Sequence, residues 1–475
     1  MSNNVINFTD SYKVSHWMQE PEGTEFIQSY VVPRSKKITI AQVFAIQAYV
    51  KRMLLKQITM DDINAAEQLL LPHLGPGIFN RNGWERIVKE CNGYLPLRLR
   101  AIKEGTVVPT QVAIATVENT RKGFGWCSSY IEPGLLNHAW YGTTVATTSF
   151  LCKKAIKQYL DLTCDDTDAV MPFMLNDFGF RGTALGADLG STGHLINFLG
   201  TDSIVGMIAA IECYNAQPGV GLSVIATEHS TSCINSDAAN RDDYAIAEKM
   251  VGILEDRVRE TGEFQIVATV ADTYDVYRYA EEFIGTRLKD RIMNSGGRLV
   301  VRPDSGDPLE VPIKIVEILL EKFPYTMVGK GKKYKLLPPC IRVLQGDGIN
   351  RESLPKILEI AEKRGLSAEN FVFGMGGGLV QDCDRDTLGF AMKASAVRIN
   401  GEWRDVFKDP ITDPGKTSLK GRLTTVREQD GTVITKRIEE VLDTDIDLME
   451  TVYEDGQLLR DQTFEEIREI ASSYL

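Results

Sequence analysis

From about Met171 onward the sequence repeats one pattern that leaves few folds open: a short apolar run stops at a polar tip, and a helical stretch follows. Phe173-Met174-Leu175 stops at Asn176-Asp177-Phe178-Gly179-Phe180-Arg181, Leu195 to Leu199 at Gly200-Thr201-Asp202, and Leu222 to Ala226 at Thr227-Glu228-His229-Ser230-Thr231. Phe264 to Val270 runs into Ala271-Asp272-Thr273-Tyr274-Asp275, and Leu299-Val300-Val301 into Arg302-Pro303-Asp304-Ser305-Gly306. The stretch from Ile341 to Gly378 holds two such ends around one helix, Gln345-Gly346-Asp347-Gly348 and Gly374-Met375-Gly376-Gly377-Gly378. Helical periodicity fills several of the gaps, at Ile204 to Tyr214, Asp237 to Thr261 and Pro312 to Phe323. Strand, tip and helix in this order predict parallel β/α architecture. Polar tips on nearly every strand favour a barrel, whose whole carboxyl-end rim can bind, over an open sheet, which binds where strand order reverses.

The flanking segments obey other periods. Val43, Ile46, Val50, Met53 and Leu54 recur at helical spacing, and a later helix through Trp84 is expected to stop at Asn92-Gly93. Leu95, Leu97, Leu99 and Ala101 alternate with Pro96, Arg98 and Arg100, and Val112 to Val117 is β-prone, which predicts a small antiparallel sheet. The tail carries three hairpin signals, Asn400-Gly401, Asp430-Gly431 and Asp455-Gly456, and ends in a helix opened by the Thr463/Glu466 capping-box spacing. The expected fold is therefore α/β: an incomplete TIM-like β/α barrel packed against an α+β domain built from the N- and C-terminal segments. The expected division is 1–165 for the N-terminal α+β part, 166–384 for the barrel with the active site, and 385–475 for a β-rich segment returning to the N-terminal domain. A chain of 475 residues is long enough for two cores.

Composition narrows the partners. A formal net charge of -12 disfavours nucleic acid and anionic membrane surfaces, so an anionic substrate needs locally gathered Lys and Arg or a divalent cation. Eight cysteines are scattered without a Cys-x-x-Cys or a Cys/His cluster, which reads as reduced thiols rather than a disulfide framework or zinc site. No stretch has the length and apolarity of a membrane span, and the first residues lack the basic and apolar regions of a secretory signal, so a cytoplasmic location is expected. Neither a Gly-x-x-x-x-Gly-Lys-Ser/Thr loop nor a Gly-x-Ser-x-Gly elbow is present.

The tips set the chemistry. Taken singly, a polar tip is an ordinary loop and three glycines an ordinary turn. Taken together, Arg181 and Arg302, the acidic Asp202, Asp304 and Asp347, the imidazole of His229 and the glycines at 376–378 suit a phosphorylated sugar. Arginine and bare backbone N–H groups bind phosphate, while carboxylates hydrogen-bond a ribose diol or hold Mg²⁺.

The motifs Asp10-Ser11-Tyr12-Lys13, Asp177-Phe178-Gly179-Phe180-Arg181-Gly182, Gly200-Thr201-Asp202, Glu228-His229-Ser230-Thr231, Arg302-Pro303-Asp304-Ser305-Gly306, Gln345-Gly346-Asp347-Gly348, the Gly376 to Gly378 run and Phe407-Lys408-Asp409-Pro410 occur in order over nearly the full chain. In these the sequence resembles the nicotinamide phosphoribosyltransferase family, among the type II phosphoribosyltransferases. The resemblance implies conversion of nicotinamide and 5-phosphoribosyl-1-pyrophosphate to nicotinamide mononucleotide and pyrophosphate in NAD salvage. It also implies Mg²⁺ held mainly by pyrophosphate and water, ATP as an energy-coupling co-substrate through a phosphorylated His229, and a homodimer with shared active sites. It carries the base to Phe178 and to Tyr12 of the partner subunit, with Asp202 at the amide and Ser223 among the substrate-binding residues. The ribose goes to Asp304, Gly346 and Asp347, the 5′-phosphate to Gly376, Gly377 and Arg385, and the catalytic residues implied are His229, Asp304, Arg302 and Asp202. Pyrophosphate goes to Arg34, Arg181, Lys393, Lys408 and Lys416.

One departure is Ala271, where the family motif can carry a serine that contacts the amide. Asp202 argues for nicotinamide over nicotinate, because a carboxylate accepts from an amide N–H₂ and repels a second carboxylate. Two rival readings are a nicotinate or quinolinate phosphoribosyltransferase, and a non-catalytic binding or signalling protein that has kept the scaffold.

Overall fold

A computed structural model of the chain describes residues 4–184, 186–412 and 417–475. It divides into two compact units, one of Met1–Thr147, Ile208–Gln217 and Cys383–Leu475, the other of Thr148–Met207 and Pro218–Asp382. The division falls at residue 147 rather than at the expected 165, because a single uninterrupted helix, Glu132–Thr163, carries the chain from one unit into the other. The change of composition near 165 marks the end of that helix. Residues 208–217, the larger part of the helix Ile204–Tyr214, belong with the first unit, which the sequence did not suggest.

The second unit is built on seven parallel strands: β1 (Leu175–Asp177), β2 (Gly200–Thr201), β3 (Ile225–Ala226), β4 (Ile266–Val270), β5 (Arg298–Arg302), β6 (Ile341–Gln345) and β7 (Phe371–Met375). Their order is β2-β1-β7-β6-β5-β4-β3. A lone parallel bridge between Gly200 and Leu222, just ahead of β3, joins the two edges of this sheet. Seven strands closed by one bridge make an incomplete TIM-like barrel. Val267, Leu299, Val301, Ile341, Val343 and Phe373 are completely buried, which explains why β4 to β7 read as near-continuous apolar runs. Ala268, Val300 and Leu344, from three neighbouring strands, form one layer, and Phe178, Ile266 and Val372 pack against it.

Two expected elements differ. The apolar run Leu195 to Leu199 is not a strand: the helix Asp188–Leu195 runs into it, the chain turns with Asn197 and Phe198 N–H donating to the His194 carbonyl, and β2 is only Gly200–Thr201. A buried helix end and a buried strand give the same apolar signal. The helix expected from Asp237 begins at Tyr244, because the Asp237 carboxylate accepts from the Ala239 and Asn240 N–H groups and folds 237–242 into a turn.

The first unit is organised on a seven-stranded antiparallel sheet in the order Glu402–Asp405, Ala391–Ile399, Thr24–Val32, Ala115–Asn119, Leu97–Ile102, Met449–Glu454, Gln457–Leu458. Four of the seven strands come from the C-terminal segment, so N- and C-terminal segments share one sheet. The small sheet expected near residue 100 is its centre. Asn400 and Gly401, and Asp455 and Gly456, all have positive φ, as two-residue hairpins require, and the Thr463/Glu466 capping box forms. Among the described residues no helix is long and apolar enough to cross a membrane.

Candidate active site

The functional side chains of the barrel follow from where its strands stop. Phe178 follows β1, Asp202 follows β2, His229 lies just after β3, Asp272 just after β4, Arg302 ends β5 with Asp304 two residues on, Gly346 follows β6, and Gly376 follows β7. All seven strands run the same way, so these residues share the carboxyl-end rim. β1 pairs with β2 and with β7, which brings the Phe178, Asp202 and Gly376 tips side by side. β5 pairs with β6 and β4, which does the same for Asp304, Gly346 and Asp272.

One side of the rim, around Phe178, is closely fitted. The Phe178 N–H donates to the Met375 carbonyl at 3.0 Å, and a Cβ placed on Gly374 would lie 2.1 Å from the Phe178 ring, so that position has room only for glycine. The Arg302 guanidinium stands 5.7 Å from the centre of the same ring. Asp177 is completely buried, and its carboxylate accepts from the Gly179 N–H at 2.8 Å, fixing the turn that follows Phe178. The Asp202 N–H donates to the Asp177 carbonyl, and the Ser223 hydroxyl donates to Asp202 Oδ1 at 2.5 Å. Ser223 thereby sets the orientation of a carboxylate that is otherwise exposed.

On β5 the rim carries an ion-pair fork. Arg302 Nε and Nη2 donate to the two oxygens of Asp304 at 3.1 and 2.9 Å, with both side chains largely buried. A Cβ on Gly346 would sit 3.0 Å from Asp304 Oδ1, so the bare Gly346 backbone lies against the fork. Asp347 is exposed, and its carbonyl accepts from Gln345 Nε2 at 2.9 Å. His229 is held by Asp272: its Nε2 lies 3.1 Å from Asp272 Oδ1, and its Nδ1 is 3.9 Å from Asp304 Oδ2. Asp272 is 5% exposed and His229 48%, so a buried carboxylate orients an accessible imidazole. Asp272 was in plain view in its tip, yet nothing in the sequence paired it with His229. Ala271 is buried, with its N–H on the Arg302 carbonyl.

The glycine tip opens a short turn, Gly377–Val380, with Gly376 as its cap. Cβ atoms on Gly376 or Gly377 would meet nothing closer than 3.8 Å, whereas one on Gly378 would lie 2.8 Å from the Ile349 carbonyl oxygen. The first two glycines therefore leave the backbone open to a ligand, and the third serves packing. Arg181 is exposed beside the turn Phe180–Gly182.

The remaining predicted residues belong to the antiparallel unit. Lys393 stands opposite Tyr30 where Ala391–Ile399 pairs with Thr24–Val32, and Arg34 Nε donates to the Gly389 carbonyl at 3.2 Å. Burial pushes the Lys393 ammonium below the ordinary lysine value, and the positive charges of Arg34, Lys408 and Lys13 push the same way against the opposing pull of Glu132. These four cations thus form one cluster on a protein of net charge -12. Lys13 is a member the sequence did not single out; it is 5% exposed and paired with Glu132 at 2.5 Å. Tyr12, 56% exposed, projects from the 3-10 helix Ser11–Gln19, with Lys13 Nζ 5.3 Å from its ring centre. Arg385 is exposed and paired with Asp386 at 2.9 Å. Lys416 lies outside the described residues.

Fold and rim together define a parallel-barrel protein of the kind that handles a phosphorylated ribose. Residues 173–457 match the nicotinate phosphoribosyltransferase (NAPRTase) family and residues 4–99 the nicotinamide phosphoribosyltransferase N-terminal domain. The chain belongs to the nicotinate phosphoribosyltransferase family, in the branch that carries that N-terminal domain. It is 43% identical over 472 residues to a nicotinamide phosphoribosyltransferase of Xanthomonas campestris pv. campestris, covering 98% of this chain and 97% of the relative. It is 32% identical to that of Acinetobacter baylyi, covering 98% and 96%. Among solved structures it shares its fold with a nicotinate-nucleotide pyrophosphorylase from Pyrococcus furiosus, at TM-score 0.62 and 15% identity over 98% of this chain and 94% of that one. The human nicotinic acid phosphoribosyltransferase gives TM-score 0.56 and 16% identity over 98% and 93%.

Proposed function

We propose that the chain transfers the 5-phosphoribosyl group of 5-phosphoribosyl-1-pyrophosphate to the ring nitrogen of nicotinamide, giving nicotinamide mononucleotide and pyrophosphate. The observation that carries the choice of base is Asp202, oriented by Ser223 beside Phe178: an exposed carboxylate at the barrel mouth accepts from a carboxamide N–H₂ and repels nicotinate. The pyridine nitrogen brings its own lone pair, so no general base is needed. Catalysis rests on holding the reactants in line and stabilising the charge that develops. The ring turns cationic as its bond to ribose C1 forms, and an aromatic face at Phe178 binds that charge better than the neutral ring. In the barrel unit the Arg302–Asp304 fork against the bare Gly346 backbone takes the ribose, and Gly376 and Gly377 take the 5′-phosphate; in the antiparallel unit the cluster of Arg34, Lys393 and Lys408 is the pyrophosphate-binding candidate.

Among the described residues no three His, Cys, Asp or Glu side chains converge to hold a metal ion. This donor set does not fit a protein-held Mg²⁺. His229 is the phosphate acceptor for ATP coupling: with Asp272 accepting from Nε2–H, the Nδ1 lone pair remains as nucleophile. The family's homodimer, with Tyr12 contributed across subunits, is supported by exposed Ile204, Ile208 and Ile211 at helical spacing on one helix and by exposed Leu222, Val224 and Ile225. A cytoplasmic location completes this reading.

The test is a product assay on purified protein with Mg²⁺ and 5-phosphoribosyl-1-pyrophosphate, offering nicotinamide and nicotinate in parallel, with and without ATP. Nicotinamide alone should be turned over, and equal use of both bases overturns the role of Asp202. In His229→Ala, ATP stimulation should vanish while basal synthesis survives; stimulation that persists removes His229 from the coupling. Mixing inactive Tyr12→Ala and Asp304→Ala chains should restore activity only if sites are shared between subunits.

A further inference from the structure

A second cavity, of about 380 Å³, lies on the polar face of the antiparallel sheet, lined by Gln28, Arg98, Arg100, Thr116, Glu118, Arg422, Ile438, Thr451 and Glu454. None of these residues belongs to the Lys13, Arg34, Lys393 and Lys408 cluster. Its floor is set by strand register: Gln28 pairs with Glu118, Arg98 with Glu118 and Glu454, and Arg100 with Thr116 and Thr451, so four strands present polar side chains to one face. Three guanidiniums face two carboxylates. Arg98 is closed by a bidentate pair with Glu454, both bonds 2.8 Å, and Arg100 by Asp447 and the Met449 carbonyl at 2.7 Å.

Arg422 is different. Its Nη2 reaches Glu118 only at 3.4 Å, and its Nε, buried from solvent, has no acceptor. Its guanidinium is braced 4.8 Å from the centre of the Trp403 ring. The side chain as a whole is 37% exposed, but a buried N–H without an acceptor is itself costly, and native structures leave few of them. Glu118 does not satisfy it, being shared at the same long 3.4 Å with Gln28 Nε2. The Thr116 and Thr451 side chains also line the space, so donors approach from several directions, which matches a tetrahedral oxyanion better than a planar carboxylate. The volume exceeds that of the ion alone and is that of a small-metabolite pocket.

We propose that this cavity is a second ligand site, which takes the phosphate group of a small phosphorylated metabolite on Arg422 with the floor arginines around it. The proposal stands on the antiparallel unit alone and does not depend on the base assigned to the barrel. The test is calorimetric titration of the full-length protein with inorganic phosphate, with nicotinamide mononucleotide and pyrophosphate saturating the family site. Wild type should still bind one phosphate per chain. Arg422→Gln should weaken it by about tenfold or more, and Arg422→Lys, which keeps the charge but loses Nε and the planar fork, should weaken it less. Malonate in place of phosphate should bind less tightly. Glu118→Gln, which removes a competing negative charge, should tighten phosphate and serves if the arginine variants fail to fold. No saturable phosphate binding, an Arg422→Gln isotherm that overlays wild type, malonate binding as tightly as phosphate, or a Glu118→Gln affinity no higher than wild type overturns the assignment.

Discussion

In the barrel, Phe178, Asp202, His229, Asp272, Arg302 and Asp304 each lie within three residues of the strand that aims them, and Arg181 four. In the antiparallel unit, the four clustered cations come from positions 13, 34, 393 and 408, and meet because Thr24–Val32 pairs with Ala391–Ile399. A parallel strand delivers its next residues to a common rim whatever the distant sequence does. An antiparallel sheet gathers charge only when remote segments find one register. The barrel site is local and additive, whereas the cation cluster depends on the whole unit having folded.

The sharpest way to break this contrast is Asp304→Ala. The Arg302 guanidinium, which faces the Phe178 ring, would lose both acceptor oxygens in a largely buried setting, and the ribose would lose its carboxylate. A fall in kcat/KM of roughly a thousandfold is expected, the scale of removing a preorganised charge from a reacting centre. Steady-state kinetics with nicotinamide check it, and a loss below tenfold would mean that the fork is scaffold.

Next in size is a pair of glycine substitutions. Gly374→Ala places a methyl 2.1 Å from the Phe178 ring and must displace it, while Gly376→Ala meets nothing nearer than the Phe178 carbonyl oxygen at 3.8 Å. The first should raise the nicotinamide KM about a hundredfold, in line with the cost of a misplaced positioning group. The second should leave the nicotinamide KM near wild type and raise that of 5-phosphoribosyl-1-pyrophosphate. The reverse order would remove Phe178 from base binding.

These residues also show what could be read from the chain. Apolar runs ending in Asp202, His229, Arg302, Asp304 and the glycine tip gave the barrel and its rim, because a parallel strand's period and its stopping point are both local properties. Leu195 to Leu199 misled because burial, not conformation, made it apolar. Asp272 and Lys13 stood inside quoted motifs, yet their partners His229 and Glu132 are set by strand adjacency and helix docking, which no spacing encodes. Strand Thr24–Val32 was missed because buried polar residues, Gln28 and Ser29 among them, interrupt its apolar ones.

Lys393 tests the cluster as a unit. Its pKa is held below the ordinary 10.5 by burial first and then by Arg34, Lys408 and Lys13, so it sheds its proton at a lower pH than a free lysine. Under the proposed pyrophosphate role the protonated form is the one that binds, and the KM for 5-phosphoribosyl-1-pyrophosphate should then rise on the alkaline side earlier than an isolated lysine would allow. Lys393→Arg should flatten that limb, because guanidinium stays charged, and Lys393→Ala should raise the KM about tenfold at neutral pH. An alkaline limb unchanged in Lys393→Arg would assign it to another group.

The mildest effect on turnover is expected at Glu20, where the arm bearing Tyr12 rejoins the sheet. That arm, Ser11–Gln19, is docked by the Trp17 indole on the Ile78 carbonyl at 2.9 Å, by His16 against Ser129 at 3.3 Å and by Lys13 on Glu132. At its end the Glu20 carboxyl is enclosed against Gly125, and burial raises its pKa from 4.5 to about 7. Between those two values the native state holds a proton that the unfolded chain has released. Glu20 therefore contributes stability that is complete below about pH 4.5 and is lost as pH rises through about 7. The loss is at most on the order of 3 kcal/mol. Glu20→Gln keeps the shape and removes the titration. Urea unfolding of the two proteins across pH 5 to 8 should give a wild-type-minus-variant stability that falls as pH rises, while turnover at neutral pH stays within about twofold. A difference that is flat with pH would mean that the carboxyl reaches water, and that the arm carrying Tyr12 is looser than its hydrogen bonds indicate.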